Sequence, residues 1–165
     1  MAENDGFDAF YAESQQRLFA CLYALTGDAA EAQDVIQEAY ARAWQRWSTV
    51  RGYGDPEAWV RTVARRIAIS RWRRARNAVF AHRRAGPPPP IPGPNPDTVV
   101  LISALGRLPV PQREAIVLHH LVGLPVAEVA RETGVATGTI KARLTRGRRA
   151  LAELLALDPS EGTHV

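Results

Sequence analysis

The chain has 165 residues, enough for one domain or two small ones, and its 46% hydrophobic content supports cores of modest size. Cys21 is the only cysteine, which excludes an intramolecular disulfide and argues against a thiolate metal centre. No apolar run approaches about 18 residues and no signal-type h-region opens the chain, so the expectation is a soluble, cytoplasmic protein without a membrane partner.

The net charge is only +4, but it is unevenly spread. Residues 1–41 hold eight acids against one base, Arg17, whereas residues 58–96 hold nine arginines and no acid. Such asymmetry suits a protein that meets a polyanion on one side and a basic surface on the other.

A first helix is predicted over 6–26, where Phe7, Phe10, Tyr11, Leu18, Cys21, Leu22 and Leu25 recur with helical spacing and Gly27 stops the run. Cys21 falls on this stripe as a core thiol. Asp28 opens a second helix, with Glu31 three residues on as in a capping box. Its core side is expected to carry Ala32, Val35, Ile36, Ala39, Tyr40, Ala43, Trp44 and Trp47. Gln33, Asp34, Gln37 and Glu38 point the other way, without a basic i+4 partner before Arg42. The patch reads as uncompensated and open to a partner.

Residues 48–55 read as a loop, after which Asp55 and Pro56 start a third helix as N-cap and N1. Trp59, Val60, Val63, Ile67 and Trp72 are placed on its inner side, and Arg61, Arg65, Arg66, Arg71, Arg73, Arg74 and Arg76 on its surface. Tryptophans among arginines also suit single-stranded nucleic acid, since rings stack on bases and guanidinium groups hold phosphates. From 77 the pattern breaks. Seven prolines within positions 87–96 rule out a continuous helix and read as an extended linker.

The second unit is expected to begin at Thr98 with a helix ended by Pro109. Another follows over 111–123, bearing Ile116, Val117, Leu118, Leu121 and Val122. Residues 124–155 then read as a helix-turn-helix: an apolar stripe of Val126, Val129 and Ala130, a stop at Gly134, an N-cap at Thr137, and a helix burying Ile140, Leu144, Gly147 and Leu151. From Thr133 through Ala152 there are five basic residues and no acid. Small residues at the start of this helix would let it enter a major groove, and the cations along it would meet phosphates. The adjacent His119 and His120 do not share a helix face and make a poor metal pair. No catalytic constellation, phosphate loop or metal cluster is evident, so neither an enzyme nor a resident cofactor is expected.

Taken in order, TGDAAEAQDVIQEAYARAW (26–44), DPEAWVRTVARRIAISRWRR (55–74) and LPVPQREAIVLHHLVGLPVAEVARETGVATGTIKARLTRGRRAL (108–151) resemble the extracytoplasmic function group of sigma-70-type sigma factors, the two-domain initiation factors of bacterial RNA polymerase. The resemblance implies an all-α fold. Residues 1–78 would form a region 2-like domain, 79–97 a Pro-rich linker, 98–157 a region 4-like domain and 158–165 a tail. Asp34, Gln37 and Glu38 would dock on core polymerase. Trp59, Arg61, Arg65, Arg66, Arg71, Arg73 and Arg74 would open and hold the −10 element as single strands. Thr137, Gly138, Thr139, Lys141, Ala142, Arg143, Thr145, Arg146 and Arg149 would read the −35 element as duplex.

Factors of this kind often have an anti-sigma factor, which the resemblance adds as a partner to test. The chain departs from the common pattern with Arg66 in place of Asn, Ser70 in place of Asp and Gln33 in place of Glu. The first two make the third helix more basic and bear on −10 preference. Without the resemblance, the helix-turn-helix alone would also fit a stand-alone DNA-binding transcriptional regulator, although no dimer surface or sensor domain is evident and the acidic helix would then have no role.

Overall fold

The computed structural model describes residues 5–81 and 95–157. All regular structure among them is helical, and the chain divides into two units, Met1–Pro90 and Ile91–Val165. The expected linker falls mainly on 82–94, and the tail on 158–165; both lie outside the described residues.

The first unit holds α1 (Phe7–Thr26), α2 (Ala29–Gln45), a short α3 (Trp47–Val50) and α4 (Pro56–Ala81), and the three long helices pack on one another. Leu18, Cys21, Leu22, Val35, Ala39, Val50, Val60 and Ala64 are at most 1% exposed. Burying an aliphatic side chain of this size contributes about 1.5–3 kcal/mol, so this stripe holds the helices together. The α1–α2 break is chemically defined. Gly27 takes a left-handed φ of 71°, and the Asp28 carboxylate accepts from the Glu31 N–H at 3.0 Å. The Glu31 side chain does not turn back to complete a capping box; it reaches Arg71 instead.

Three expectations change here. Residues 48–50 are not loop but belong to the helical turn α3, because Trp47 and Val50 are buried against the bundle. Trp44 is 45% exposed and meets Phe7 edge-on, so it rims the core instead of filling it. The third long helix also runs past 77 to Ala81, and its Trp72 is 43% exposed, under the guanidinium of Arg76 at 5.3 Å. The last buried residue described on α4 is Ile67; Ala68, Ile69 and Arg71 beyond it are half-buried, and residues 72–77 are exposed.

In the second unit, α5 (Pro96–Gly106) starts at Asn95, whose side chain accepts from the Asp97 N–H at 2.9 Å. The helix therefore begins two residues before Thr98, and proline occupies a first-turn position that needs no N–H donor. Arg113 of α6 (Val110–Ile116) donates to the carbonyls of Leu105, Gly106 and Leu108 at 2.8–3.1 Å, tying α6 to the turn that follows α5. Desolvation in that position lowers the Arg113 pKa. A π-helical turn, Val117–Leu121, continues α6, with His119 bonded through Nδ1 to the Leu124 carbonyl at 2.7 Å.

Then come α7 (Val126–Thr133) and α8 (Thr137–Leu157), joined at Gly134. Gly134 has φ 72° and its N–H donates to Ala130 O at 2.9 Å, a conformation that costs a residue with a Cβ more than glycine. Thr137 is inside α8 and is not its N-cap, because the Ala136 carbonyl already accepts from the Ile140 N–H at 3.1 Å.

Candidate nucleic-acid and polymerase interfaces

The arginines of α4 separate into three groups. Arg61 and Arg65 are 4% and 6% exposed, so neither presents its charge on the surface. They follow Val60 and Ala64 directly, four residues apart, and α4 carries them on the side that packs on the bundle. Arg71 is half-buried and already paired within the protein. It donates to Glu38 at 2.7 Å and reaches Glu31 at 3.5 Å, both on α2. The third group is outward: Arg76 is exposed over Trp72, while Arg66, Arg73 and Arg74 are exposed and, with Ile69, Ser70 and Asn77, line one open groove.

Their spacing of i, i+4, i+7, i+8, i+11 follows one face of a helix, and Trp59, seven residues before Arg66, falls on that face one end earlier. The groove thus has three guanidinium groups and two uncharged polar side chains, with no acid among its lining residues. Residue type alone does not single out Ser70 and Asn77 as part of such a face. They become visible once Arg66, Arg73 and Arg74 are placed on a helical wheel, because the positions between and beyond them then line the same strip.

The acidic helix also needs correction. Glu38 is not uncompensated. Its carboxylate accepts from Arg42 at 2.7 Å one helical turn along and from Arg71 of α4 at 2.7 Å. The hydrogen bond from Arg71, supported by Arg42, holds the Glu38 carboxyl below the usual carboxylate range. Asp34 and Gln37 remain exposed, and Asp34 has no ion pair among the described residues. Glu38 is half-buried, and Gln33, Asp34 and Gln37 are the exposed residues of this face. Beside it, Phe7, Tyr11, Tyr40, Ala41 and Trp44 border a shallow aromatic groove that also takes in Gln37.

On α8 the buried stripe is Ile140, Leu144 and Gly147, with Leu151 half-buried. Thr137, Gly138, Thr139, Lys141, Thr145, Arg146 and Arg149 are exposed, and Ala142 and Arg143 are half-buried. At about 100° per residue, Gly138, Ala142, Thr145, Arg146 and Arg149 lie opposite the stripe, while Lys141 and Arg143 fall on opposite flanks. The Thr145 hydroxyl donates to the Lys141 carbonyl at 3.0 Å, leaving its oxygen to accept. Arg148, on the same flank as Lys141, donates from Nε to His120 Nε2 at 3.0 Å. That bond requires His120 to be unprotonated at Nε2, and burial, then the neighbouring His119 and Arg148, lowers its pKa.

Among the described residues no group of three or more His, Cys, Asp or Glu side chains converges as a metal would require, and no helix is long and apolar enough to cross a membrane.

Two basic helix faces, one in each of two helical units, with an acidic and amide-bearing helix in the first, fit the two-domain arrangement that the resemblance to sigma factors implies. The comparisons agree. Residues 10–78 match the family described as Sigma-70 region 2, and residues 98–151 match Sigma-70, region 4. The ECF RNA polymerase sigma factor SigL of Mycobacterium tuberculosis is 36% identical over 150 residues, covering 87% of this chain and 85% of SigL. SigM of the same organism is 29% identical over 158 residues, covering 90% and 76%. Among solved structures, the sigma factor RpoE of Bartonella quintana, crystallised with the anti-sigma factor NepR, superposes with a TM-score of 0.81 at 28% identity, over 92% of this chain and 98% of that one. The chain belongs to the ECF group of the sigma-70 family of RNA polymerase sigma factors.

Proposed function

We propose that this chain docks on core RNA polymerase through Asp34 and Gln37 of α2, holds the opened −10 strand along α4, and reads the −35 duplex with α8. In this reading residues 1–78 do the first two tasks and 98–157 the third, with 79–97 spanning between them. The observation that carries it is the sorting of α4: Arg66, Arg73 and Arg74 share one acid-free face with Trp59, Ser70 and Asn77, while Arg61, Arg65 and Arg71 are turned to the protein. Guanidinium groups along such a strip can follow a single-strand backbone, and Trp59 offers a ring for a base.

On α8, Ala142, Thr145 and Arg146 reach base edges. Gly138 permits close approach of the helix end, with Thr137 and Thr139 beside it. Lys141, Arg143 and Arg149 hold phosphates. Arg66 and Ser70 put a longer cation and a smaller neutral group where the common pattern of such factors has Asn and Asp, so a distinct −10 preference belongs to this reading.

The protein acts in the cytoplasm, has no catalysis of its own and needs no cofactor. RpoE of Bartonella quintana was crystallised with an anti-sigma factor, which supports a partner of that class for this chain. The test is reconstitution with core enzyme and run-off transcription from selected promoters. Promoter-dependent transcripts that require this chain are expected. Binding to duplex operators without any association with core would replace this reading with that of a stand-alone regulator.

A further inference from the structure

The helix α4 is anchored in the bundle only along its first half. Val60, Ala64 and Ile67 are buried, and Glu57 is gripped by Arg17 of α1 through two bonds of 3.1 and 2.8 Å. Past Ile67, the side-chain hydrogen bonds that α4 makes to another helix among the described residues are those of Arg71 to Glu38 and Glu31 of α2. Along the helix axis that tie falls between Ser70 and Arg73, level with the middle of the proposed strand-holding face but on the side turned to α2. It is also doubly backed, since Arg42 holds the second oxygen of Glu38. A helix fixed at one end can bend and rotate at the other, and Arg71 limits both.

We infer that Arg71 is a positioning residue, not a DNA contact: clasped by Glu31 and Glu38, it sets the rotation of the distal half of α4 so that Arg66, Ser70, Arg73, Arg74 and Asn77 present one continuous face. The inference rests on α4 being the strand-holding helix. It assigns Glu38 to the interior of the machine, joining the helix that meets polymerase to the helix that meets DNA. With Nη2 on Glu38 and Nη1 toward Glu31, the guanidinium turns its fork to α2, and a planar fork suits this shared grip better than a lysine would.

The test uses the full chain with core polymerase and a promoter. Arg71→Met, the pair Glu31→Gln with Glu38→Gln, and the triple variant are compared for core affinity, thymine exposure to permanganate near −10, and the salt dependence of promoter binding. Residues coupled in one network lose non-additively. Arg71→Met and the double variant should therefore each lower strand opening by a similar factor, about three- to tenfold, with the triple no worse than either. Core affinity and salt slope should not change. A slope lowered by about 0.7 together with additive losses would make Arg71 a phosphate ligand and overturn the inference; so would unchanged opening. If Arg71→Met loses helix content, Arg71→Lys decides: it keeps the charge without the fork and should open poorly with the slope intact, whereas full opening overturns the inference. Arg73→Ala with Arg74→Ala, run alongside, tests the parent reading separately, since an unchanged slope there would remove α4 from the DNA whatever Arg71 does.

Discussion

Gly147 of α8 lies against Ile116 of α6 so closely that a Cβ built on the glycine would stand 3.0 Å from Ile116 Cγ1 and 3.3 Å from its Cδ1. Because Ile116 Cγ1 is not the free end of its side chain, it cannot swing away cheaply. A methyl group here would gain about 1 kcal/mol of helix propensity and lose about 1–3 kcal/mol to overpacking. Gly147→Ala is therefore expected to be neutral to moderately destabilising, and Gly147→Val clearly destabilising. Thermal unfolding followed by circular dichroism checks the order. A Gly147→Val variant as stable as wild type would show that α6 and α8 yield to one another more easily than so close an approach implies.

The α4 face should be separable from its buried arginines. Arg73→Ala with Arg74→Ala is expected to reduce opening at −10 and to flatten the salt dependence by about 0.7 for each single-strand phosphate left without its guanidinium. Arg61→Ala should instead lower the melting temperature, because it empties a position 4% exposed, and leave the salt slope of the folded fraction unchanged. Permanganate footprinting and a salt titration on the same preparations distinguish the two effects. A lowered slope in Arg61→Ala would return that residue to the surface.

On α8, Arg146→Ala should cost about 1–3 kcal/mol on the preferred −35 sequence and relax selection at one or two base pairs. Arg149→Ala should weaken all duplexes alike and lower the salt slope by about one. Selection on randomised −35 duplexes measures both. The opposite pattern, with Arg149→Ala altering preference and Arg146→Ala preserving it, would mean that α8 enters the groove rotated from the orientation proposed.

Polymerase docking should depend on Asp34 more than on Glu38. Asp34 is exposed and without an ion pair among the described residues, whereas Glu38 is held by two arginines. Reversing a charge that faces a complementary surface typically costs about 2–5 kcal/mol when the pair is buried in the complex. Asp34→Lys is expected to weaken core binding in a direct titration, with Glu38→Gln close to wild type. Equal losses in both would place Glu38 at the interface.

Tyr40 provides a pH-dependent signature of the first unit. Its hydroxyl is 2.6 Å from that of Ser14, and burial pushes its pKa up to about 12. The folded state thus resists an ionisation that the unfolded chain undergoes near pH 10, as an ordinary tyrosine does (about 10). The stabilising contribution is complete below about pH 10 and is lost as pH rises toward about 12, where the unfolded state has released a proton that the folded state keeps. Denaturant unfolding between about pH 9 and 12 should show a fall in stability that is smaller in Tyr40→Phe. An equal fall in both would place the effect elsewhere.

Local chemistry and periodicity are enough to place much of this molecule. Gly27, Asp28, Asp55, Pro56 and Gly134 mark helix ends through conformational and capping preferences that act over a few residues, and the helices do break there. The helix-turn-helix and its outward face are legible because the apolar stripe of α8 is regular and its cations lie off it. What only the tertiary structure decided is which charges are spoken for. Seven arginines on α4 look alike in sequence, yet Arg61 and Arg65 are buried and Arg71 is clasped by α2, because ion pairs such as Glu38–Arg71 join positions 33 residues apart. No period in either helix records that distance; it follows from how α2 and α4 cross. The same packing ended the core at Ile67, which left Trp72 exposed although its spacing suited an inner face. Hydrophobic spacing says which side of a helix seeks cover, but the length of the neighbouring helices decides where the cover stops.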